Sequence, residues 1–150
     1  MDTRLPPPLV LLIAAAGMAL IDQALPGMRA DLPGLDGLAI ALAAVAIGVM
    51  GVAAIGFARR HTSIDPRYPD HARVLITDGV YARSRNPIYL ADALLLIAWS
   101  VWLGHALALL GAAAFIGYVT HFQIRPEERA LAAKFGERYR GYCRRVRRWI

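Results

Sequence analysis

Two arginines, an asparagine and a tyrosine stand together in Arg83-Ser84-Arg85-Asn86-Pro87-Ile88-Tyr89, just before a long apolar run. Further along, Gln123-Ile124-Arg125-Pro126-Glu127-Glu128-Arg129 sets two carboxylates just after another such run. Guanidinium groups pair with carboxylates and phosphates, while carboxylates and aromatic faces attract amines, hydroxyls and cations. Together such groups could hold a polar, partly cationic ligand. Each cluster also has a plain structural reading. Asn86 is a favoured N-cap, Pro87 suits the first helical position, and Arg83, Arg85 and Tyr89 suit a membrane interface. The acids suit the first turn of a helix that Pro126 would start. Whether the clusters converge in space decides between the two readings.

The elements that must position them are membrane helices. Hydrophobic residues make up 57% of the 150-residue chain and mean hydropathy is +0.43, above the roughly 45–50% apolar content of soluble domains. One domain fits this length. Four stretches, 8–25, 35–57, 87–104 and 106–124, are long and apolar enough to span a bilayer. The expected fold is therefore all-α and integral to the membrane: four transmembrane helices plus a cytoplasmic amphipathic C-terminal helix. Arg29 alone among the 17 basic residues falls in the first or third connection. The positive-inside rule then puts both termini and the middle loop in the cytoplasm. The net charge of +6 reads as topology and attraction to lipid headgroups, not as a nucleic-acid signal. With one cysteine, Cys143, the chain has no internal disulfide and no multi-thiolate metal site. The first apolar segment reads as a retained span, having only Arg4 before it, three prolines and no small-x-small cleavage pattern.

Two polar segments remain. The 59–86 loop is too long for a structureless connection and carries the apolar insert Val74-Leu75-Ile76, so it is expected to be ordered and functional. In the tail, 126–149, Leu131, Phe135, Tyr139, Tyr142, Val146 and Trp149 recur at steps of three and four among arginines. That pattern predicts a helix lying in the membrane interface. The short Gly104-His105 turn makes the third and fourth spans antiparallel neighbours, which brings Asn86 and Glu127 to one end of a hairpin. S-adenosylmethionine suits such a site: its carboxylate can meet guanidinium, its amine and ribose need acceptors, and its sulfonium favours carboxylates or aromatic faces. NADPH is the nearest competitor, since arginines also fit its phosphates.

At these residues the chain resembles the integral-membrane methyltransferases that include isoprenylcysteine carboxyl methyltransferase and the phospholipid N-methyltransferases. That family's ordered motifs match Leu75-Ile76-Thr77-Asp78-Gly79-Val80-Tyr81, Arg85-Asn86-Pro87-Ile88-Tyr89-Leu90-Ala91, Glu127-Glu128 and Phe135-Gly136-Glu137-Arg138-Tyr139-Arg140-Gly141-Tyr142. The resemblance runs from about Thr62 to Trp149 and implies an S-adenosylmethionine cofactor enclosed by the last two spans, the preceding loop and the tail. It implies cofactor contacts at Arg73, Val74, Leu75, Ile76, Tyr81 and Asn86, with Tyr89 beside them, and acceptor contacts at Glu127 and Arg125. No metal is implied. Two departures stand out. Asn86 replaces a histidine, keeping a donor and an acceptor but losing titration. Ala91 replaces a glycine, and Asp92 follows it inside a membrane helix, where an acid is a functional candidate or meets Arg85 near the interface.

The expected activity is methyl transfer to an O, N or S nucleophile of a lipophilic acceptor drawn from the bilayer. The alternatives are an NADPH-dependent reductase of a sterol-like or enone lipid, and a non-enzymatic four-helix lipid-binding protein. The alanine- and arginine-heavy composition points to a bacterial inner membrane.

Overall fold

The computed structural model describes residues 5–59 and 74–150, and every regular element among them is helical. The five α-helices are α1 (Pro7–Ala24), α2 (Leu35–Arg59), α3 (Pro87–Trp102), α4 (Leu109–Val119) and α5 (Arg125–Arg145). α1 and α2 are long and apolar enough to cross a membrane, as is the continuous rod Ala106–Arg145. α3 is apolar but has 16 residues, or about 24 Å of rise, slightly under the ~30 Å hydrocarbon core. Three to four helices can thus span. The third span ends at Trp102, two residues earlier than the sequence suggests.

α3 is the central helix and packs against α1, α2 and α4. Its contact with α2 is the most extensive between helices. The buried positions of α2 are Ala39, Ala46 and Ala53, spaced at sevens, while α3 buries Ala91, Ala93 and Ala98. Small side chains let two backbones approach closely, which is how membrane helices gain packing when lipid removes the hydrophobic drive between them. On the outside, Leu12, Ile13, Leu20, Ile40, Val45 and Ile47 are exposed, as suits helices whose solvent is lipid.

Hydrogen bonds define the two ends of the bundle. At the far end, Ala30 N–H donates to the Gly104 carbonyl at 2.7 Å, His105 Nε2 lies 3.2 Å from the Leu25 carbonyl, and Arg29 pairs with Asp22. At the near end, Gln123 Nε2 donates to the Leu5 carbonyl at 2.8 Å and Asn86 Nδ2 to the Arg148 carbonyl at 3.0 Å. The hairpin is therefore real, with α3 beginning and α4 finishing at the same end. Gly104 has φ of 63°, and a Cβ there would meet the Ala30 carbonyl oxygen at 2.7 Å. Gly104→Ala is expected to destabilise by more than the ~1–3 kcal/mol of left-handed strain, because the clash adds to it. Thermal unfolding in detergent measures this.

The tail departs most from expectation. The helix does not stop before Pro126: it widens into a π turn over Thr120–Ile124 and runs straight on into α5. Proline offers no N–H and crowds the carbonyl four residues back, and an opened turn relieves both problems. The real break comes at Gly136, whose φ of 52° and ψ of −127° bend the tail, and α5 ends at Arg145. The apolar stripe expected to lie in the lipid interface instead packs on protein. Leu131, Phe135, Tyr139, Tyr142 and Val146 gather around Leu75, and Trp149 packs on the core shared by α1, α3 and α4.

Candidate functional site

A cavity of about 360 Å³ opens at the near end of the bundle, within the ~300–1,000 Å³ range of ligand sites. The loop and the tail supply Val74, Leu75, Ile76, Tyr81, Asn86, Tyr139 and Tyr142, here called the outer part, and the helices supply Pro7, Pro8, Met50, Phe57, Tyr89, Asp92 and Glu127, the inner part. The loop provides the first wall because Leu75 and Ile76 are anchored separately. Leu75 is buried under the tail tyrosines, and Ile76 against Ala53 of α2 and Tyr81. Tyr81 is fixed edge-on to Phe57, with ring centroids 5.6 Å apart, and its carbonyl accepts the Tyr142 hydroxyl at 2.6 Å. The bend at Gly136 is what folds Tyr139 and Tyr142 back over this loop.

The two adjacent acids both border the cavity but meet different partners, since neighbouring residues on a helix point about 100° apart. Glu128 is enclosed by cations: Arg85 Nη2 donates to it at 2.7 Å, and Arg148 grips both of its oxygens at 3.0 and 2.7 Å. This network clamps the tail to the start of α3, assisted by Arg85 N–H to the Arg147 carbonyl at 3.1 Å. Glu127 faces the cavity, and the Tyr89 hydroxyl donates to it at 2.8 Å. Burial pushes the Glu127 carboxyl up to about 7, the charge of Glu128 adds to the rise, and the Tyr89 hydrogen bond opposes it. Burial likewise raises the Tyr81 phenol and takes Tyr142 up to about 12. Both phenols therefore stay neutral; the Tyr142 proton is taken by the Tyr81 carbonyl, and the Tyr81 hydroxyl keeps its own.

Of the residues singled out from sequence, Val74, Leu75, Ile76, Tyr81, Asn86, Tyr89 and Glu127 come together around this one cavity. Arg125 does not: it is exposed and outside the lining. The arginines that meet the acidic pair are Arg85 and Arg148, and they meet Glu128. Arg73 lies outside the described residues. Asp92 does not meet Arg85, which is turned to Glu128; it is 7% exposed and lines the cavity. Phe57, Met50, Tyr139 and Tyr142 were not singled out, although the spacing of the tail stripe already set the two tyrosines on one face.

Chemically, the outer part offers the Tyr81 phenol, the Asn86 amide and an irregular backbone over 74–77, where main-chain groups are free of helix bonding. Arg85 lines the cavity with a buried Nε–H that has no acceptor among the described residues. An orphaned guanidinium N–H beside neutral phenols fits an amphoteric ligand with its own carboxylate or hydroxyls.

Comparison with known proteins agrees with this geometry. Residues 36–138 match the family model described as phospholipid methyltransferase, a stretch holding α2, α3, α4 and the acidic pair. An uncharacterized protein of Haemophilus influenzae is 49% identical over 63 residues, covering 42% of this chain and 100% of that one. The Delta(14)-sterol reductase of Mus musculus is 33% identical over 76 residues, 49% of this chain but only 18% of the reductase. The family match takes in most of the chain, both clusters of polar residues and the hairpin that brings them together, and on that basis this chain belongs to the phospholipid methyltransferase family.

Proposed function

We propose that the protein is an S-adenosylmethionine-dependent membrane methyltransferase with four spans, both termini in the cytoplasm and a lipophilic acceptor. A bacterial inner membrane is the setting that its composition suggests. The observation that carries this reading is the half-buried Glu127, held by Tyr89 and free of arginine, in one cavity with Tyr81 and Asn86. When bound, S-adenosylmethionine supplies an electrophilic methyl group on a sulfonium. The outer part of the cavity is its place. Arg85 Nε and the Asn86 amide meet polar groups of the cofactor, and Tyr81, Tyr139 and Tyr142 shield it from water. Asn86 already donates to the Arg148 carbonyl, so it retains its oxygen as an acceptor. Glu127 orients the acceptor and takes its proton where one must leave. A group titrating near the working pH does this well. Alignment and exclusion of water supply most of the remaining rate.

The acceptor's route is lateral. α1 and α2 each pack on α3, not substantially on each other, while Pro7 and Pro8 of α1 and Met50 and Phe57 of α2 all border the cavity. Lipid can therefore reach the inner part between those two helices.

A second reading, NADPH-dependent reduction of a sterol-like or enone lipid, draws support from the partial likeness to the sterol reductase. One assay separates the two. Purified protein is incubated with total membrane lipid and either tritiated-methyl S-adenosylmethionine or NADPH. Tritium in an extractable lipophilic product is expected. NADPH oxidation without label transfer would replace the first reading with the second.

A further inference from the structure

Asp92 takes part in none of the steps above. It lies three residues beyond Tyr89 on α3, is 7% exposed and borders the cavity. Its carboxylate has no hydrogen-bond or ion-pair partner among the described residues, and the nearest arginine along the chain, Arg85, is occupied by Glu128. An acid kept in the apolar part of a membrane protein is destabilising unless something pairs with it. Residues three apart share a helix face, so Asp92 and the Tyr89-bound Glu127 border the same inner chamber. That chamber reaches along α2 from Phe57 to Met50, roughly 10 Å of helical rise. Its other walls, Pro7, Pro8 and Met50, are apolar, and Arg85 is the one cation among the cavity's described lining residues. Two carboxylates bordering a chamber with apolar walls, with no cation of their own, call for a partner brought in by the ligand.

We propose that Asp92 selects the methyl acceptor: it pairs with a cationic or hydrogen-bond-donating head on an alkyl chain and turns away an anionic head. This rests on the methyltransferase reading. An ammonium, hydroxyl or thiol head satisfies Asp92, whereas a carboxylate head would add a third negative charge to a water-poor chamber. In the transfer, the acceptor's reacting atom loses its proton to the Glu127 carboxylate and bonds the methyl carbon. The carbon–sulfur bond of the sulfonium donor breaks with its electron pair going to sulfur, and water later removes the proton from Glu127. Asp92 holds the head in place during these steps.

The test uses dodecylamine and dodecanoate, equal in chain length and opposite in charge, titrated into the full protein in non-ionic detergent. Wild type, Asp92→Asn and Asp92→Glu are compared, with S-adenosylhomocysteine binding measured in parallel. The wild type is expected to bind dodecylamine at least ~10-fold more tightly than dodecanoate, and Asp92→Asn to bring the ratio within ~3-fold. Asp92→Glu should keep the preference, and all three should bind S-adenosylhomocysteine alike. Absence of a preference in wild type, an unchanged ratio in Asp92→Asn, or loss of the preference in a cofactor-competent Asp92→Glu would each overturn the proposal. Loss of S-adenosylhomocysteine binding in Asp92→Asn alone would also overturn it, by placing Asp92 on the cofactor side. If the wild type bound no S-adenosylhomocysteine but kept the amine preference, the methyltransferase reading would fail while the selection by Asp92 stood.

Discussion

Glu127→Gln is expected to lower the rate of methyl transfer by about 10²–10³-fold, the usual scale for losing a positioned proton acceptor, with S-adenosylhomocysteine affinity nearly unchanged. Glutamine still accepts the Tyr89 hydrogen bond, so the cavity keeps its shape while losing its titrating group. Wild-type activity should rise with pH through about 7, where the Glu127 carboxyl ionises. The same substitution should stabilise the protein at alkaline pH. Burial raises this carboxyl from 4.5 to about 7, so the folded state holds the proton more tightly than the unfolded chain does. Below the unfolded value there is no penalty; it grows between the two values and is complete above the folded one. At about pH 8 the wild type therefore carries a charge penalty of roughly 2–4 kcal/mol that the glutamine variant lacks. Unfolding at about pH 8 and pH 4 checks this: the variant should be more resistant at the higher value only. A variant less stable at both would mean that the carboxylate is structural.

The neighbouring acid should behave in the opposite way. Glu128→Ala leaves Arg85, 13% exposed at its side chain, and Arg148, 34% exposed, without their shared partner. Breaking a buried ion pair from one side is destabilising by about 3–5 kcal/mol, and partial exposure of Arg148 brings the expectation to the lower part of that range. The tail should then come away from the start of α3, and S-adenosylhomocysteine affinity should fall by at least ~10-fold. Glu137→Ala is the internal control. Its pairs with Arg140 and Arg144, at 2.9 and 2.8 Å, are about as short but exposed, and such surface pairs contribute about 0–1 kcal/mol. Thermal unfolding and cofactor titration on both variants measure the contrast. Equal, small effects would show that Glu128 does not clamp the tail.

The contrast between these acids marks the boundary of what the sequence disclosed. The hairpin was legible because Gly104-His105 leaves too little chain for anything but a reversal, and that alone brought Asn86 and Glu127 to one end. That Leu75, Ile76 and Tyr81 belong beside Asn86 and Glu127, around one cavity, was legible from motif order. Which acid the arginines would take was not, because a π turn over Thr120–Ile124 resets the helical phase just before Glu127, and no local pattern announces it. Arg125 was chosen for its nearness along the chain. Arg148 instead reaches Glu128 from 20 residues away because Gly136 bends the tail back. The tail stripe had the right period, but period alone does not say whether a face meets lipid or protein; Leu75 took the place expected for lipid.

The most direct measurement is calorimetric titration of detergent-purified protein with S-adenosylhomocysteine and, separately, with NADPH, repeated on Tyr81→Ala. The expected result is one S-adenosylhomocysteine site per chain, weakened in Tyr81→Ala, and no NADPH binding. NADPH binding without S-adenosylhomocysteine binding would contradict it, and an affinity indifferent to Tyr81 would put the cofactor somewhere other than the cavity between the loop, α3 and the bent tail.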